Sequence, residues 1–150
     1  ANTTFVVSSV PLLFGGTARA GTSVPVAYLQ ITNIGKESAV LKGFFVEQKG
    51  SAPTSSVIGF TTVDDKGGSR GYIGGEEGKT PFKNMKAFVP TEDTIFAPKQ
   101  MKLFTIKAAL SQNISSSIGK NLKIVVVGID AEAKISSALP IPGTTWVLAL

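Results

Sequence analysis

Four carboxylates around one glycine-rich stretch are the densest group of side chains in this chain that could do chemistry. They are Asp64, Asp65, Glu76 and Glu77. Carboxylate oxygens bind hard cations such as Ca²⁺, so the loop at 64–80 is a candidate metal site. The spacing matches no Ca²⁺-binding loop, however, and Lys66, Arg70 and Lys79 lie close to the same acids. The sequence therefore favours a solvated turn with local ion pairs, and we expect no metal and no cofactor.

The same stretch ends like a phosphate-binding loop. Residues 74–80 read Gly-Gly-Glu-Glu-Gly-Lys-Thr, and Gly-Lys-Thr closes the P-loop motif of nucleotide-binding proteins. The first glycine of that motif would fall at position 73, which is Ile73. No helix is predicted after it that would direct its N terminus at a phosphate. We therefore expect no nucleotide site.

Two further sets of carboxylates are candidates for the paired acids of a glycosidase. They are Glu92 with Asp93, and Asp130 with Glu132. Each set lies in a predicted turn or just past a strand, and nothing in the sequence shows two carboxyl groups facing each other. The chain also has no histidine and no cysteine, which excludes Ser-His-Asp hydrolysis, thiol nucleophiles and imidazole-ligated metals. We predict that the protein is not an enzyme.

Basic residues are concentrated in the second half of the chain. Residues 1–78 carry six basic and six acidic side chains, whereas 79–150 carry nine lysines against four acids. Seven lysines are candidates for one basic face: Lys83, Lys86, Lys99, Lys102, Lys107, Lys120 and Lys123. Such a face would attract an acidic polysaccharide by salt-sensitive electrostatics, and Tyr72 is available to stack on a sugar. The alternative, which the sequence favours, is that these lysines keep the protein soluble and block sheet edges.

Other short signals concern partners and location. Only two arginines are present, so the chain has few guanidinium forks for phosphate and we expect no nucleic-acid partner. Asn2 and Asn113 each begin an N-glycosylation pattern, which mildly favours a secreted protein. A first residue Ala1 fits a removed signal peptide and a shortened sequence equally well. No run of about 18 apolar residues exists, so we expect no transmembrane segment.

The stretch at 120–129, Lys-Asn-Leu-Lys-Ile-Val-Val-Val-Gly-Ile, is the element around which the others must be placed. Alternation puts Leu122, Ile124 and Val126 on one face and Val125, Val127 and Ile129 on the other. A helix is disfavoured, because three consecutive valines lose χ1 freedom in a helix. The stretch therefore predicts a strand in the middle of a packed sheet.

Alternating apolar residues predict about eight strands in the whole chain. They lie at residues 3–10, 23–32, 38–48, 57–63, 80–89, 100–110, 120–129 and 145–150. A turn is predicted at 90–94, and 64–80 is the longest irregular stretch. With 16 glycines, 8 prolines and no clear helix, this pattern predicts one all-β domain over 1–150. We expect a two-layer antiparallel sandwich of immunoglobulin-like or jelly-roll type.

The leading segment at 1–14 contains a predicted strand followed by a Gly15-Gly16 hinge. Phe5 and Val7 lie on one face of that strand. It either folds back on its own domain, which is the favoured reading, or adds to the open sheet edge of a neighbouring subunit, where these two side chains would fill a groove.

Four segments carry a resemblance to a known group of proteins. They are Leu-Gln-Ile-Thr-Asn at 29–33, Val-Leu-Lys-Gly-Phe at 40–44, Ala-Pro-Lys-Gln-Met-Lys-Leu-Phe-Thr-Ile-Lys-Ala at 97–108, and Leu-Lys-Ile-Val-Val-Val at 122–127. This progression resembles the immunoglobulin-like β-sandwich modules of prokaryotic cell-surface, pilus and secreted matrix proteins. The resemblance spans about two thirds of the chain and assigns no site residue.

We therefore expect a non-enzymatic, extracellular structural subunit of a surface filament, pilus or surface layer. Its partners would be copies of itself, and its first strand is the candidate contact between them. A glycan- or anion-binding module that uses the lysine face or the 64–80 loop is the alternative from another class. A jelly-roll protein of a virion is a further alternative.

Overall fold

A computed structural model describes residues 4–9, 16–136, 139 and 141–150, without the side chains of Ser9 and Pro142. These residues form eleven β-strands, two short 3₁₀ turns (Thr54–Ser56 and Ser115–Ser117) and no α-helix. The strands are β1 (Thr4–Ser9), β2 (Gly16–Arg19), β3 (Ser23–Asn33), β4 (Ala39–Gln48), β5 (Val57–Asp64), β6 (Ser69–Gly74), β7 (Lys86–Phe96), β8 (Met101–Leu110), β9 (Asn121–Ala131), β10 (Lys134–Ile135) and β11 (Ile141–Ala149). None of the described residues forms a helix long and apolar enough to cross a membrane.

The strands form two sheets, which confirms the predicted all-β, two-layer architecture. The six-stranded sheet has the order β10-β1-β3-β8-β5-β6, and the five-stranded sheet has the order β2-β11-β9-β4-β7. Most neighbours are antiparallel. The pairs β1–β10 and β2–β11, at one edge of each sheet, are short and parallel, which the sequence did not predict.

The central strand is where the sequence predicts it. In the five-stranded sheet β9 lies between β11 and β4, and Leu122, Ile124 and Val126 are completely buried. The register with β4 then shifts, because Val46 pairs with Val126 while Phe45 pairs with Gly128. This bulge moves Ile129 onto the core, so the predicted alternation is wrong beyond Val126.

Phenylalanine rings fill the core between the two sheets. The Phe5 and Phe96 ring centroids are 4.9 Å apart, and Phe104 lies 6.2 Å from Phe96 and 6.1 Å from Phe44. These offset and tilted contacts add to the stabilisation from apolar burial. The Trp146 indole N–H on β11 also donates to the β3 backbone across the sandwich, over 2.8 Å.

The predicted fifth strand at 80–89 is wrong at its start. Asn84 and Met85 have φ angles of 52° and 67°, which makes 83–86 a tight turn, so β7 begins only at Lys86. Phe82 lies before that turn and packs on Phe60, with ring centroids 5.4 Å apart. Phe88 lies on β7 itself, so Phe82 and Phe88 are not on the same face of one strand.

The turn predicted at 90–94 is a bulge inside β7. Leu41 pairs with Thr94 and Gly43 with Pro90, so β7 holds extra residues at this point. The backbone of Glu92 and Asp93 takes positive φ there, 50° and 31°. The turn residues bend the strand without ending it.

Bulges also change which side chains face the core on β3 and β4. The register shifts between Pro25 and Ala27, so Val24 and Val26 are buried in the core together with Ala27, Leu29 and Ile31, although simple alternation puts the two sets on opposite faces. On β4 the register shifts between Leu41 and Gly43. Leu41 therefore joins Phe44 and Val46 in the core, whereas Val40 is half-exposed.

The connections between strands gather at two ends of the sandwich. The near end contains the turns at 34–38, 65–68 and 97–100, and the far end contains the connections at 49–56, 75–85 and 111–120. The region at 64–80 is less irregular than predicted, because β6 occupies 69–74 within it. Its two halves therefore belong to opposite ends of the molecule.

Candidate functional site

A cleft of about 290 Å³ lies at the near end, where the β5–β6 turn meets the end of β7 and the start of β8. Its lining residues are Asp64, Asp65, Lys66, Arg70, Thr94, Gln100, Met101, Lys102, Leu103 and Phe104. Three cations and two carboxylates therefore share one concave surface. The cleft brings together part of the predicted acidic loop and one of the predicted lysines.

Asp64 holds the turn that forms one wall of this cleft. Its Oδ1 atom accepts hydrogen bonds from the backbone N–H groups of Gly68, at 2.9 Å, and Lys66, at 3.0 Å. The hydrogen bond from Gly68 lowers the pKa of the Asp64 carboxyl most. The Lys66 hydrogen bond and the nearby Arg70 and Lys66 cations lower it further, whereas partial desolvation acts in the opposite direction. The carboxylate is therefore ionised at neutral pH and is used structurally.

The cations of the cleft have few partners. Among the described residues, salt bridges join Lys49 to Glu47 and Lys79 to Glu76, and none includes Lys66, Arg70 or Lys102. The Lys102 Nζ atom lies over the Phe96 ring, 5.7 Å from its centroid, in a cation–π contact. Lys102 also lines the cleft.

The predicted set of four acids is divided between the two ends. Asp64 and Asp65 are at the near end, whereas Glu76 and Glu77 lie beyond β6 at the far end. Glu77 accepts hydrogen bonds from the Ser111 hydroxyl and, at 3.2 Å, from the Gln112 backbone N–H. The described residues contain no group of three acidic side chains placed to hold a metal ion. The loop therefore fixes turns at both ends and does not assemble one site.

The other predicted carboxylates do not line the cleft. Glu92 and Asp93 are exposed in the bulge of β7, whereas Asp130 lies on β9, on the other side of β4. Glu132 follows β9, and its backbone N–H donates to Val40. The P-loop-like run at 74–80 leaves β6 without entering a helix. No arrangement expected of a glycosidase or nucleotide site is formed by these residues.

The structure does not place the seven candidate lysines on one face. Lys99 and Lys102 are at the near end, and Lys83, Lys86, Lys120 and Lys123 are at the far end. Lys107 pairs with Thr61 of β5 on the outer surface of the six-stranded sheet. Tyr72, which is 69% exposed, shares that outer surface and does not line the cleft. A binding role for any of these residues stays a prediction.

The glycosylation signals differ in what the structure says of them. Asn113 is exposed and lines a smaller far-end cleft of about 200 Å³. Its side chain is therefore accessible to a modifying enzyme. Asn2 lies outside the described residues.

The first strand is part of its own domain. β1 pairs with β3 from Phe5 opposite Asn33 to Ser9 opposite Leu29, and Phe5 and Val7 are buried in the core. The remainder of the predicted leading segment, at 1–3 and 10–14, lies outside the described residues. Donation of this strand to a neighbour stays a prediction, and it requires β1 to exchange these contacts for identical ones in another copy.

Sequence reasoning missed an apolar platform on the outer surface of the five-stranded sheet. The residues that form it, on β4 and β7, are Val40, Phe45, Phe88, Pro90 and Ile95. Phe45 and Phe88 are directly opposed, with ring centroids 5.0 Å apart. Phe45 is 43% exposed and Ile95 62%. The adjacent Phe44 and Phe45 were the available signal, because neighbours on a strand point to opposite faces.

No protein-family model and no curated protein sequence matches the chain. Among solved structures, it is similar to AvmM, which catalyses macrocyclization in alchivemycin A biosynthesis, at 9% identity and a TM-score of 0.47, over 97% of this chain and 89% of that one. It is also similar to a type I cohesin of ScaB from Pseudobacteroides cellulosolvens, at 9% identity and a TM-score of 0.34, over 98% of this chain and 92% of that one. A PapD-like domain of human CEP192 matches at 11% identity and a TM-score of 0.34, over 95% of this chain and 84% of that one. These likenesses assign no activity.

Proposed function

We propose that the protein is a non-enzymatic structural module of an extracellular surface assembly, and that two copies associate through the apolar platform. The platform is the observation that carries this proposal. Phe45 and Phe88 form a ring pair beside Pro90, and Val40 opposite Ile95 lies farther along the same two strands, beyond the exposed Lys42. Exposed apolar side chains gathered on one sheet face are typical of an interaction site. The exposed Asn113 supports an extracellular location.

The charges beside the platform favour a second copy as its partner. On β4, Lys42 lies toward the near end and Glu47 toward the far end. On the neighbouring β9 the order is reversed, with Asp130 toward the near end and Lys123 toward the far end. A two-fold axis that lies in the plane of the contact, perpendicular to the strands, would place Lys123 over Asp130 of the other copy. It would also place Lys42 over Glu47, which pairs with Lys49 of its own chain as well. Such a self-complementary face suits an isologous contact.

The sheet edges favour a contact through faces over a contact through strands. β10 and β2 have two and four residues, and β7, the other edge strand of the five-stranded sheet, contains Pro90 and a bulge. Short, bulged and proline-containing edge strands prevent the addition of further strands. At the remaining edge β6 approaches β7 so closely that a Cβ atom on Gly71 would lie 2.3 Å from the Pro90 carbonyl oxygen.

Sedimentation equilibrium tests the platform contact. We expect the natural chain to associate and Phe45→Ser to weaken the association at least about tenfold, because buried aromatic anchors dominate such interfaces. Tyr72→Ser is the matched control, since it removes an exposed aromatic ring from the opposite face. Circular dichroism must show that both variants are folded. Equal association of the two variants, or a monomeric natural chain at all concentrations, would contradict the proposal.

A filament or layer needs a second contact besides this pairing, and exchange of β1 between copies is the sharper proposal for it. The chain has no cysteine, so one introduced pair can lock β1 in place. Val6 and Thr32 are directly opposed on β1 and β3. In the variant V6C/T32C we expect the oxidised protein to form pairs only, and the reduced protein to form larger assemblies visible by negative-stain microscopy. Identical assemblies in both states would rule out strand exchange.

A further inference from the structure

We infer that the near-end cleft binds a saccharide that carries a single carboxylate, a uronate residue of an acidic polysaccharide. This inference is independent of the platform contact. It rests on the charge of the cleft, on its uncommitted hydrogen-bonding groups, and on the kind of surface that the cleft lacks.

The charge of the cleft matches one negative charge. Lys66, Arg70 and Lys102 outnumber Asp64 and Asp65 by one. The three cations form no salt bridge with described residues, although both carboxylates share the cleft with them. A bound monoanion therefore leaves the cleft neutral, whereas a bound dianion such as phosphate leaves one negative charge uncompensated. Arg70 also offers a planar fork that suits the two oxygens of a carboxylate.

The polar groups that remain suit hydroxyls. Gln100 accepts a hydrogen bond from the Ala97 backbone N–H through Oε1, at 2.9 Å, which fixes its amide and leaves the two N–H groups of Nε2 as donors. Asp64 uses Oδ1 for its turn. Its Oδ2 atom and the Asp65 carboxylate accept no hydrogen bond from the described residues. Ring hydroxyls donate to such oxygens and accept from such an amide.

The same side chains are held in place before a ligand arrives. Asp64 is fixed by two backbone N–H groups, and the Lys102 ammonium lies over the Phe96 ring. Preorganised groups lose little conformational entropy on binding. Met101 and Leu103 provide an apolar wall for the C–H groups of a sugar ring.

The cleft lacks a feature that neutral sugars need. Its one aromatic lining residue, Phe104, is buried with 1% exposure, so it presents no ring face for stacking. Attraction must then come from charge, which makes the carboxylate of the ligand essential. A neutral oligosaccharide would form hydroxyl contacts alone.

Titration with trigalacturonate, followed by isothermal calorimetry at low and at high ionic strength, tests the inference. We expect binding at low ionic strength that weakens as salt is added. Arg70→Gln and Lys102→Met should each weaken it by at least about fivefold, the size of a lost charge pair; methionine at 102 removes the charge and keeps an apolar side chain. Lys107→Gln, on the outer surface of the six-stranded sheet, is the matched control and should bind as the natural chain does.

Two further ligands distinguish the chemistry. Neutral galactotriose should not bind, since it lacks the carboxylate. Triglutamate should bind more weakly than trigalacturonate, since it lacks the hydroxyls. The inference is wrong if trigalacturonate fails to bind at low salt, if Lys107→Gln weakens binding as much as Arg70→Gln does, or if triglutamate binds equally well.

Discussion

The two outer surfaces of the sandwich differ although their inner surfaces are alike. The five-stranded sheet exposes the apolar platform, with Phe45 and Ile95 at its most accessible points. The six-stranded sheet presents hydroxyl, amide and charged groups, together with exposed apolar side chains at Val6, Tyr72 and Met101. Its outer residues include Tyr28, Gln30, Thr32, Thr61, Thr105 and Lys107. The five-stranded sheet therefore pairs two aromatic rings across neighbouring strands, whereas the exposed apolar side chains of the six-stranded sheet lie on three different strands, and this contrast is not required by the fold.

Glycines show how the platform is built into the backbone. A Cβ atom on Gly43 would lie 2.5 Å from the Cζ atom of Phe88, and one on Gly128 would lie 3.1 Å from the Cδ2 atom of Phe45. Each ring therefore covers a glycine on the neighbouring strand. Glycine costs stability inside a strand, because it has no side chain to pack. At both positions the absence of a side chain leaves the space that the ring occupies.

The largest effect is expected at the strand that completes the six-stranded sheet. In the structure β1 completes that sheet by pairing with β3 of the same chain. Phe5→Ala should lower the free energy of unfolding by about 3–5 kcal/mol, because it leaves a cavity among packed rings. Urea denaturation measures this loss. Val6→Ala, next to it on the exposed face, is the control and should change stability by less than about 0.5 kcal/mol. Equal effects would mean that β1 does not pack as described.

The next effect tests the glycines under the platform. Gly43→Ala should destabilise the fold by about 1–3 kcal/mol, since its Cβ atom would also lie 2.6 Å from the Val89 carbonyl oxygen, which cannot move away easily. Gly128→Ala meets only the Phe45 side chain and should cost clearly less. Thermal unfolding of both variants measures the difference. A larger loss for Gly128→Ala would show that the rings do not lie on these glycines.

The sequence predicts the architecture because one face of each strand must be apolar. Leu122, Ile124 and Val126 are found where alternation puts them. The errors occur at bulges, which insert one residue and exchange the two faces of a strand. Val127 on β9 and Lys42 on β4 are such places. The glycine that follows each, Gly128 and Gly43, was the available signal, because an isolated glycine in a strand indicates a bulge or a close backbone approach. Asn84 was another signal, since asparagine readily adopts positive φ and could have indicated the turn before β7.

The sites were harder to predict, because they depend on which loops share an end of the sandwich. Asp64 and Lys102 are far apart in the sequence but line one cleft, and Asp65 and Glu76 are close in the sequence but lie at opposite ends. The register of β5, β6 and β8 determines both outcomes. The platform was not predicted because none of its residues is unusual by itself in the sequence. Only the pairing of β4 with β7 makes them one surface.

A smaller effect is expected from the charged residues beside the apolar platform. Lys123→Asp should weaken self-association by about three- to tenfold, since it places two acids opposite each other across the proposed two-fold contact. Adding Asp130→Lys reverses both charges and should restore most of the affinity, which a double-mutant cycle measures as coupling. Lys107→Asp, on the other outer surface, is the control. Independent effects of the two reversals would exclude the antiparallel arrangement of the copies.

The smallest effect concerns the turn at the end of the six-stranded sheet, where the charged Asp64 carboxylate accepts backbone hydrogen bonds of its own chain. The pKa of Asp64 is lowered in the folded state, so its contribution to stability is present above its unfolded pKa of about 3.9 and is lost as pH falls through the lower folded value. Asp64→Asn keeps an oxygen for the hydrogen bonds from Gly68 and Lys66 but removes the charge. We therefore expect the variant to be slightly less stable at neutral pH. The difference should shrink as pH falls below about 4 and disappear only below the lower folded pKa of Asp64. Thermal unfolding across this range measures it, with Asp65→Asn as the control, since Asp65 accepts no hydrogen bond from the described residues. A difference that persists at low pH would show that the amide fails to hold the turn, and that geometry, and not charge, stabilises it.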